Sequence, residues 1–344
     1  MVRKHLFPTL TFLLALSVIS AEAGPGTRTG TAGASELLIP VGARDIAMGG
    51  AVVATTSGID GLFWNPASMA KMQSSASVYV SHLSYLAGIG VDYGAVGARF
   101  EGLGCLALSL KSLSIGQIPV TTTTNPDGTG QNFTPQYFTV GLSYSRKLSD
   151  RIAVGFTTNL ITERLGEVSA TGVAFTVGVC YDNLALINGL SLAVAIRNVG
   201  PQMRFDGSGL LALGSVNGQN RPPQYYAIQS APFELPSSFE FGLGYKTPLG
   251  EDNAILLTGD YQSNNFSNDE YKLGVEYTYQ DLFAVRGGYA LSQNATPNSE
   301  YLFGPSFGAG IHSALGSIDI TVDYAFRATK LFENQHTIAV KLGF

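Results

Sequence analysis

The stretch Gly316-Ser317-Ile318-Asp319-Ile320-Thr321-Val322-Asp323-Tyr324-Ala325-Phe326-Arg327 decides the fold. Successive side chains of a strand point to opposite faces. Ile318, Ile320, Val322, Tyr324 and Phe326 therefore share one face, and Asp319, Thr321, Asp323, Ala325 and Arg327 share the other. The same period of two recurs elsewhere. Tyr271, Leu273, Val275, Tyr277 and Tyr279 alternate with Lys272, Gly274, Glu276 and Thr278, and Phe239, Phe241, Leu243 and Tyr245 alternate with Glu240, Gly242, Gly244 and Lys246. Segments around Val140 and Val194 repeat the pattern with small or polar alternates. Aromatic residues recur near the ends of the apolar faces, where the two interfaces of a bilayer would lie.

Composition separates a membrane barrel from a soluble sandwich, which would also alternate. Only 13% of the 344 residues are charged, against roughly 25% in a soluble domain, while 45% are hydrophobic. Such a chain has too little charge to cover a water-facing surface. Glycine is abundant at 41 residues, and Phe and Tyr far outnumber the single Trp, a composition that favours strands over helices. The net charge of −5 argues against a nucleic-acid partner.

The amino terminus reads as an export signal. Arg3 and Lys4 precede an apolar stretch from Leu6 to Ile19, and Ala21-Glu22-Ala23 is a small-x-small cleavage site before Gly24. Beyond it no window of about 18 residues is apolar enough for a spanning helix. An exported apolar chain without such a helix can satisfy its backbone in lipid as a closed barrel.

Alternating runs predict fourteen strands, at 75–86, 91–100, 102–112, 136–147, 150–162, 171–182, 189–199, 237–247, 253–263, 269–280, 281–290, 303–313, 315–327 and 333–343. Alternation is least regular in the first three. With the amino end in the periplasm, every second connection is tight, and the opposite set contains two long ones, 113–135 and 200–236. Short periplasmic turns and long outer loops characterise this class. In the last strand Ile338, Val340, Leu342 and Phe344 alternate and Phe344 is terminal, an arrangement that resembles the assembly signal read by the outer-membrane insertion machinery.

Residues 24–72 do not fit a strand pattern. They contain Val41-Gly42-Ala43-Arg44-Asp45-Ile46-Ala47-Met48-Gly49-Gly50-Ala51 and Gly58-Ile59-Asp60-Gly61-Leu62-Phe63-Trp64-Asn65-Pro66-Ala67-Ser68-Met69. Gly49-Gly50 permits positive φ and Asn65-Pro66 favours a turn. The order Gly42, Arg44, Met48, Gly49, Gly50, Ala51 and then Trp64, Asn65, Pro66, Ala67 resembles the PorV/PorQ family of outer-membrane barrels, and more distantly the FadL-type transporters. The dense match covers about 41–70.

The export signal marks a signal peptide over 1–23, and the resemblance implies an N-terminal plug over 24–72 and a fourteen-stranded up-and-down antiparallel barrel over 73–344. It implies that Arg44 pairs with carboxylates of the inner wall and that Trp64 anchors the turn at Asn65-Pro66. It further implies a non-enzymatic binding or scaffold role in type IX-like protein secretion, with secreted cargo or a translocon subunit as partner. The alternative is FadL-like passive transport of hydrophobic small molecules, and an open polar porin is a third reading. Surface for a protein partner would come from the long loops, through Phe133, Leu210, Tyr225, Tyr226 and Phe233.

The chain carries no HExxH or phosphate-binding loop, and its four histidines lack metal-ligand spacing, so no catalytic residue, metal or cofactor is expected. Asp319 and Asp323, with Arg286, Lys272 and Arg327, read as an ion-pair network bracing the interior. Cys105 and Cys180 read as unpaired fillers on the inward faces of strands that are not neighbours.

Overall fold

A computed structural model describes residues 32–215, 222–292 and 301–344. The export signal at 1–23 lies outside the described residues. Among them, fourteen long strands form one closed antiparallel barrel. They are β1 (Ala76–Ser84), β2 (Gly90–Phe100), β3 (Gly104–Ser114), β4 (Gln136–Lys147), β5 (Ile152–Leu165), β6 (Val168–Asp182), β7 (Leu190–Val199), β8 (Ser238–Pro248), β9 (Asn253–Asn264), β10 (Glu270–Tyr279), β11 (Phe283–Ser292), β12 (Phe303–Leu315), β13 (Ile318–Thr329) and β14 (Gln335–Gly343). Each strand pairs with its neighbours in sequence, and β14 closes onto β1 through Ser77↔Gly343 to Ser84↔His336. No described helix is long and apolar enough to cross a membrane.

The register explains the composition. Val80, Val340 and Val322 stand side by side across the β1, β14 and β13 seam, all on the outer wall. Leu108, Leu142, Val275, Val285 and Phe307 are likewise exposed outward, where lipid stabilises them. The opposite positions are buried: Asp323, Ala325 and Arg327 in β13, and Lys272 and Glu276 in β10. Phe344 joins the seam through its backbone, donating to Ala76 O at 2.9 Å and accepting from Ser75 N–H at 2.8 Å.

The strands of the barrel fall close to the positions expected from alternation, with two informative departures. β5 and β6 run on to Leu165 and back from Val168, so the loop expected at 163–170 is a two-residue turn at Gly166-Glu167. Glu163, just beyond the expected strand end at 162, is an inward-facing strand residue that is 4% exposed. β3 is shifted by two residues, to Gly104–Ser114. Its neighbourhood has apolar residues on both faces, because Tyr79, Leu83, Val91, Tyr93 and Ala95 point inward and are buried. Alternation in hydrophobicity disappears where the lumen is itself apolar.

The lumen is apolar there because residues 34–72 lie within it. A 3-10 turn at Ser35–Leu38 sits at the end of the long loops, where Ala34 and Leu37 pack on Ile161, Met203 and Leu235. Helix α1 (Ala43–Ala47) lies against β11 to β14, and the 3-10 turn Pro66–Lys71, which follows a shorter one at Asp60–Leu62, lies against β4, β5 and β6 on another side of the wall. The chain then leaves at the tight-turn end to begin β1.

Candidate functional site

The lumenal segment is shaped by its two glycine and proline turns. α1 stops at Met48, after which Gly49 and Gly50 take φ of +69° and +75°. Gly50 N–H donates to Asp45 O and Gly49 N–H to Ile46 O, both at 3.0 Å, which is the Schellman pairing that satisfies a helix's last carbonyls. At the other turn the Asn65 side chain accepts from Ala67 N–H at 3.0 Å and Pro66 occupies the first helical position. Trp64 ties the two turns together. Its indole N–H donates to Val41 O at 3.1 Å, and its ring covers Gly50, where a β-carbon would stand 3.2 Å away.

Both turns fit into dents in the barrel wall made by glycine pairs. Gly155 of β5 and Gly178 of β6 are cross-strand partners, and a β-carbon on either would overlap Pro66 or the Asn65 amide. Gly274 of β10 and Gly288 of β11 are partners too, and there the overlap would be with Met48 and Gly49. In a strand, glycine costs roughly 0.5–1 kcal/mol relative to alanine. The close approach of the segment's backbone accounts for glycine at these four positions.

Charges hold the segment to the wall between the dents. Arg44 donates to both oxygens of Glu276, Nε to Oε2 and Nη2 to Oε1, each at 3.0 Å, and also contacts Asp45 at 3.2 Å. Glu276 is shared with Arg286, whose Nε lies 2.6 Å from Oε2, and Arg286 reaches Asp323 at 2.5 Å. Asp60 pairs with Lys341 at 3.1 Å and Lys71 with Asp182 at 2.7 Å. Val53 N–H donates to Asp260 at 2.9 Å, the Asn65 amide N–H donates to Cys180 Sγ at 3.2 Å, and Ser306 Oγ donates to Ala47 O at 3.1 Å. Nearer the long loops the Lys111 ammonium donates to the backbone carbonyls of Glu36 and Ile39. Anchors therefore come from β3, β6, β9, β10, β12 and β14.

Burial alters the ionisation of this segment. Desolvation, opposed by Arg44 and reinforced by Asp60, pushes the Asp45 carboxyl up to about 7. Desolvation and the neighbouring Glu163 push Glu36 up to about 8. Desolvation works against the Arg44 cation, but Glu276 and Asp45 outweigh it and raise its pKa.

The expected interior network of five groups is only partly assembled. Asp323 and Arg286 belong to it, whereas Asp319 is half exposed beside His312, 3.7 Å away. Lys272 turns to Gln262 and Glu270, and Arg327 stacks on Phe303. Asp319 stands at the tight-turn end of its strand, out of reach of β11. Cys105 and Cys180 are both free and buried.

The two long loops differ in what they offer. Loop 200–236 folds a short ribbon, with 211–214 paired to 224–227, that leaves Leu213 62% and Tyr225 72% exposed. Tyr226 is exposed as well, and Leu210 is half-buried. Phe233 faces the other way. It packs on Phe205 at 5.5 Å and over Gly33, so it caps the lumenal segment rather than projecting outward. Phe133 lies half-buried in a ribbon of two residues per side with Ile118 and Pro119.

Comparison with known proteins now bears on this geometry. Among solved structures, the chain is similar to the toluene transporter TodX of Pseudomonas putida, with a TM-score of 0.55 at 12% identity over 88% of this chain and 96% of that one. It is also similar to the toluene transporter TbuX of Ralstonia pickettii, with a TM-score of 0.53 at 16% identity over 88% and 98%. The monoaromatic hydrocarbon channel CymD gives a TM-score of 0.53 at 14% identity over 89% and 98%. At these identities the likeness establishes a shared barrel fold. No curated protein sequence matches. The profile of the family described as type IX secretion system protein PorV matches residues 23–217, more than half of the chain and including the whole described lumenal segment. The closed barrel with its apolar outer wall and the family match together place the chain in the bacterial outer membrane, and it belongs to the PorV family of type IX secretion system proteins.

Proposed function

We propose that this barrel acts as a non-enzymatic binding and scaffold component of the secretion apparatus, and that residues 24–72 serve as a plug for the 73–344 barrel after removal of 1–23. The observation that carries the reading is the anchoring of residues 34–72 to strands on several sides of the lumen. A channel would have to break the Arg44–Glu276 and Asp60–Lys341 ion pairs, the first of them largely buried, to open along its axis. A scaffold needs no such opening. Its contact surface is the ribbon of loop 200–236, where Leu213, Tyr225 and Tyr226 offer apolar area outside the bilayer; tyrosine is a favoured anchor of protein interfaces. The partner is secreted cargo or a translocon subunit, and Ile338, Val340, Leu342 and Phe344 serve the insertion machinery during assembly.

Replacing Leu213, Tyr225 and Tyr226 together by serine tests this reading. The barrel should assemble as before, while affinity recovery of secreted proteins and of a translocon subunit falls at least tenfold. Unchanged recovery of every partner would overturn it. The second reading, passive transport of hydrophobic small molecules, is supported by the fold shared with hydrocarbon channels. It predicts that the same variant keeps its partners and that cells lacking the protein lose uptake of a labelled alkane.

A further inference from the structure

At the long-loop end of the lumen, above the plug, a cavity of about 320 Å³ opens between the wall and the segment. Its floor is Pro40, Phe63 and Trp64, and its sides include Tyr85, Tyr301 and Phe303. Three cations also line it: Arg197, Lys272 and Arg327. Two of these have carboxylates of their own. Arg197 pairs with Glu240 at 2.7 Å, and Lys272 lies 3.6 Å from Glu270.

Arg327 is different. The residue is 9% exposed, yet among the described residues no carboxylate oxygen lies within ion-pair distance of it. Its contacts are the Phe303 ring, 3.7 Å from guanidinium carbon to centroid, and the Tyr301 hydroxyl at 3.5 Å. Glu270, the one carboxylate among the described residues that line the cavity, faces Lys272 and the Tyr301 hydroxyl. Buried guanidinium groups are ordinarily paired, because desolvation is costly without a counter-charge. Among the described residues this cavity therefore has one cation in excess, set on an aromatic wall and facing open space.

We infer that the outer vestibule is a binding site for a small aromatic carboxylate, its carboxyl group paired with Arg327 and its ring held among Phe303, Tyr85 and Phe63. The planar fork of an arginine matches a carboxylate bidentately. The floor formed by the plug limits depth, so a ring with a short acid arm fits and a folded peptide does not. This site is independent of the scaffold reading, because it lies within the barrel mouth and its occupant is a small solute.

The test uses the mature protein in lipid nanodiscs, with 3-phenylpropionate as probe and neutral 3-phenylpropanamide as its match, both titrated by calorimetry at pH 7. The carboxylate should bind saturably and at least tenfold tighter than the amide. Arg327→Gln should abolish that preference, and Arg327→Lys should restore part of it. Equal affinity for acid and amide, absence of saturable binding, or an unchanged preference in Arg327→Gln would each overturn the inference. Should Arg327→Gln fail to form a heat-modifiable barrel, the wild-type preference for acid over amide and its loss in Ser267→Trp, which fills the cavity from its rim, decide the matter. Recovery of protein partners is measured separately, so failure here and failure of the scaffold role are distinguishable.

Discussion

Replacing Gly288 by alanine should undock the lumenal segment, although the same change usually stabilises a strand. Gly287 and Gly288 are adjacent in β11 and face opposite sides of the wall. A β-carbon at Gly287 would meet only ordinary contacts, the nearest at 3.8 Å. At Gly288 it would stand 2.6 Å from the Met48 carbonyl oxygen and closer still to the backbone joining Met48 and Gly49. Those are backbone atoms, so no rotamer relieves the overlap, and the segment must retreat by the better part of an ångström. Retreat stretches the 3.0 Å Arg44–Glu276 bonds and the 3.1 Å Ser306–Ala47 bond. Overpacking costs about 1–3 kcal/mol, and weakening a charge-assisted bond adds about 1.5–3 kcal/mol. Docking of the segment should therefore weaken by roughly 3–5 kcal/mol in Gly288→Ala, whereas Gly287→Ala should change stability by less than about 1 kcal/mol. Hydrogen exchange in residues 43–54 of the vesicle-inserted protein reads the difference, with heat-modifiability confirming that both barrels are closed. Equal protection of the segment in the two variants would refute the account of why glycine occupies the dents.

Two further outcomes follow from the register and the buried acids. Arg at Val322, which is 44% exposed on the outer wall, should cost about 2–4 kcal/mol of folding into vesicles if it lies near the midplane, and Arg at its inward neighbour Thr321 should be milder; equal, small effects would contradict the register. Glu36 has its carboxyl raised to about 8 in the docked segment, so docking binds a proton that the free segment releases near 4.5. Stability of the docked state should be greatest below about pH 4.5 and decline as pH rises through 8, with Glu163, Lys111 and Tyr137 as the surrounding groups. Protease cleavage within 32–40 should accordingly be faster at pH 9 than at pH 6, and Glu36→Gln should flatten the dependence.

The barrel was legible because lipid imposes a one-sided demand: Ile318, Val322 and Tyr324 have to be apolar whatever the lumen contains. The same logic marks where legibility ends. In β1 and β2 the lumen side is occupied by Tyr79, Leu83, Val91 and Tyr93, which pack on the lumenal segment, so both faces read as apolar and the period of two fades. The turns at Gly49-Gly50 and Asn65-Pro66 were visible as local chemistry. Their receiving dents were not, since Gly155 meets Gly178, and Gly274 meets Gly288, only through strand register. Phe233 was legible as an aromatic loop residue, but its inward turn depends on Gly33 and Phe205, contacts no local pattern encodes. Arg327 looked like one member of an interior network. That no carboxylate among the described residues pairs with it emerges only from the positions of Asp319 and Asp323, which engage His312 and Arg286.

Single-channel recording in planar bilayers tests the central claim most directly. If residues 34–72 are a fixed plug anchored around the lumen, the intact mature protein should pass little steady current, and a variant lacking 24–72 should open a wide, stable pore. A large steady conductance in the intact protein would contradict the plug, remove the main support for the scaffold reading and return the barrel to the class of open channels.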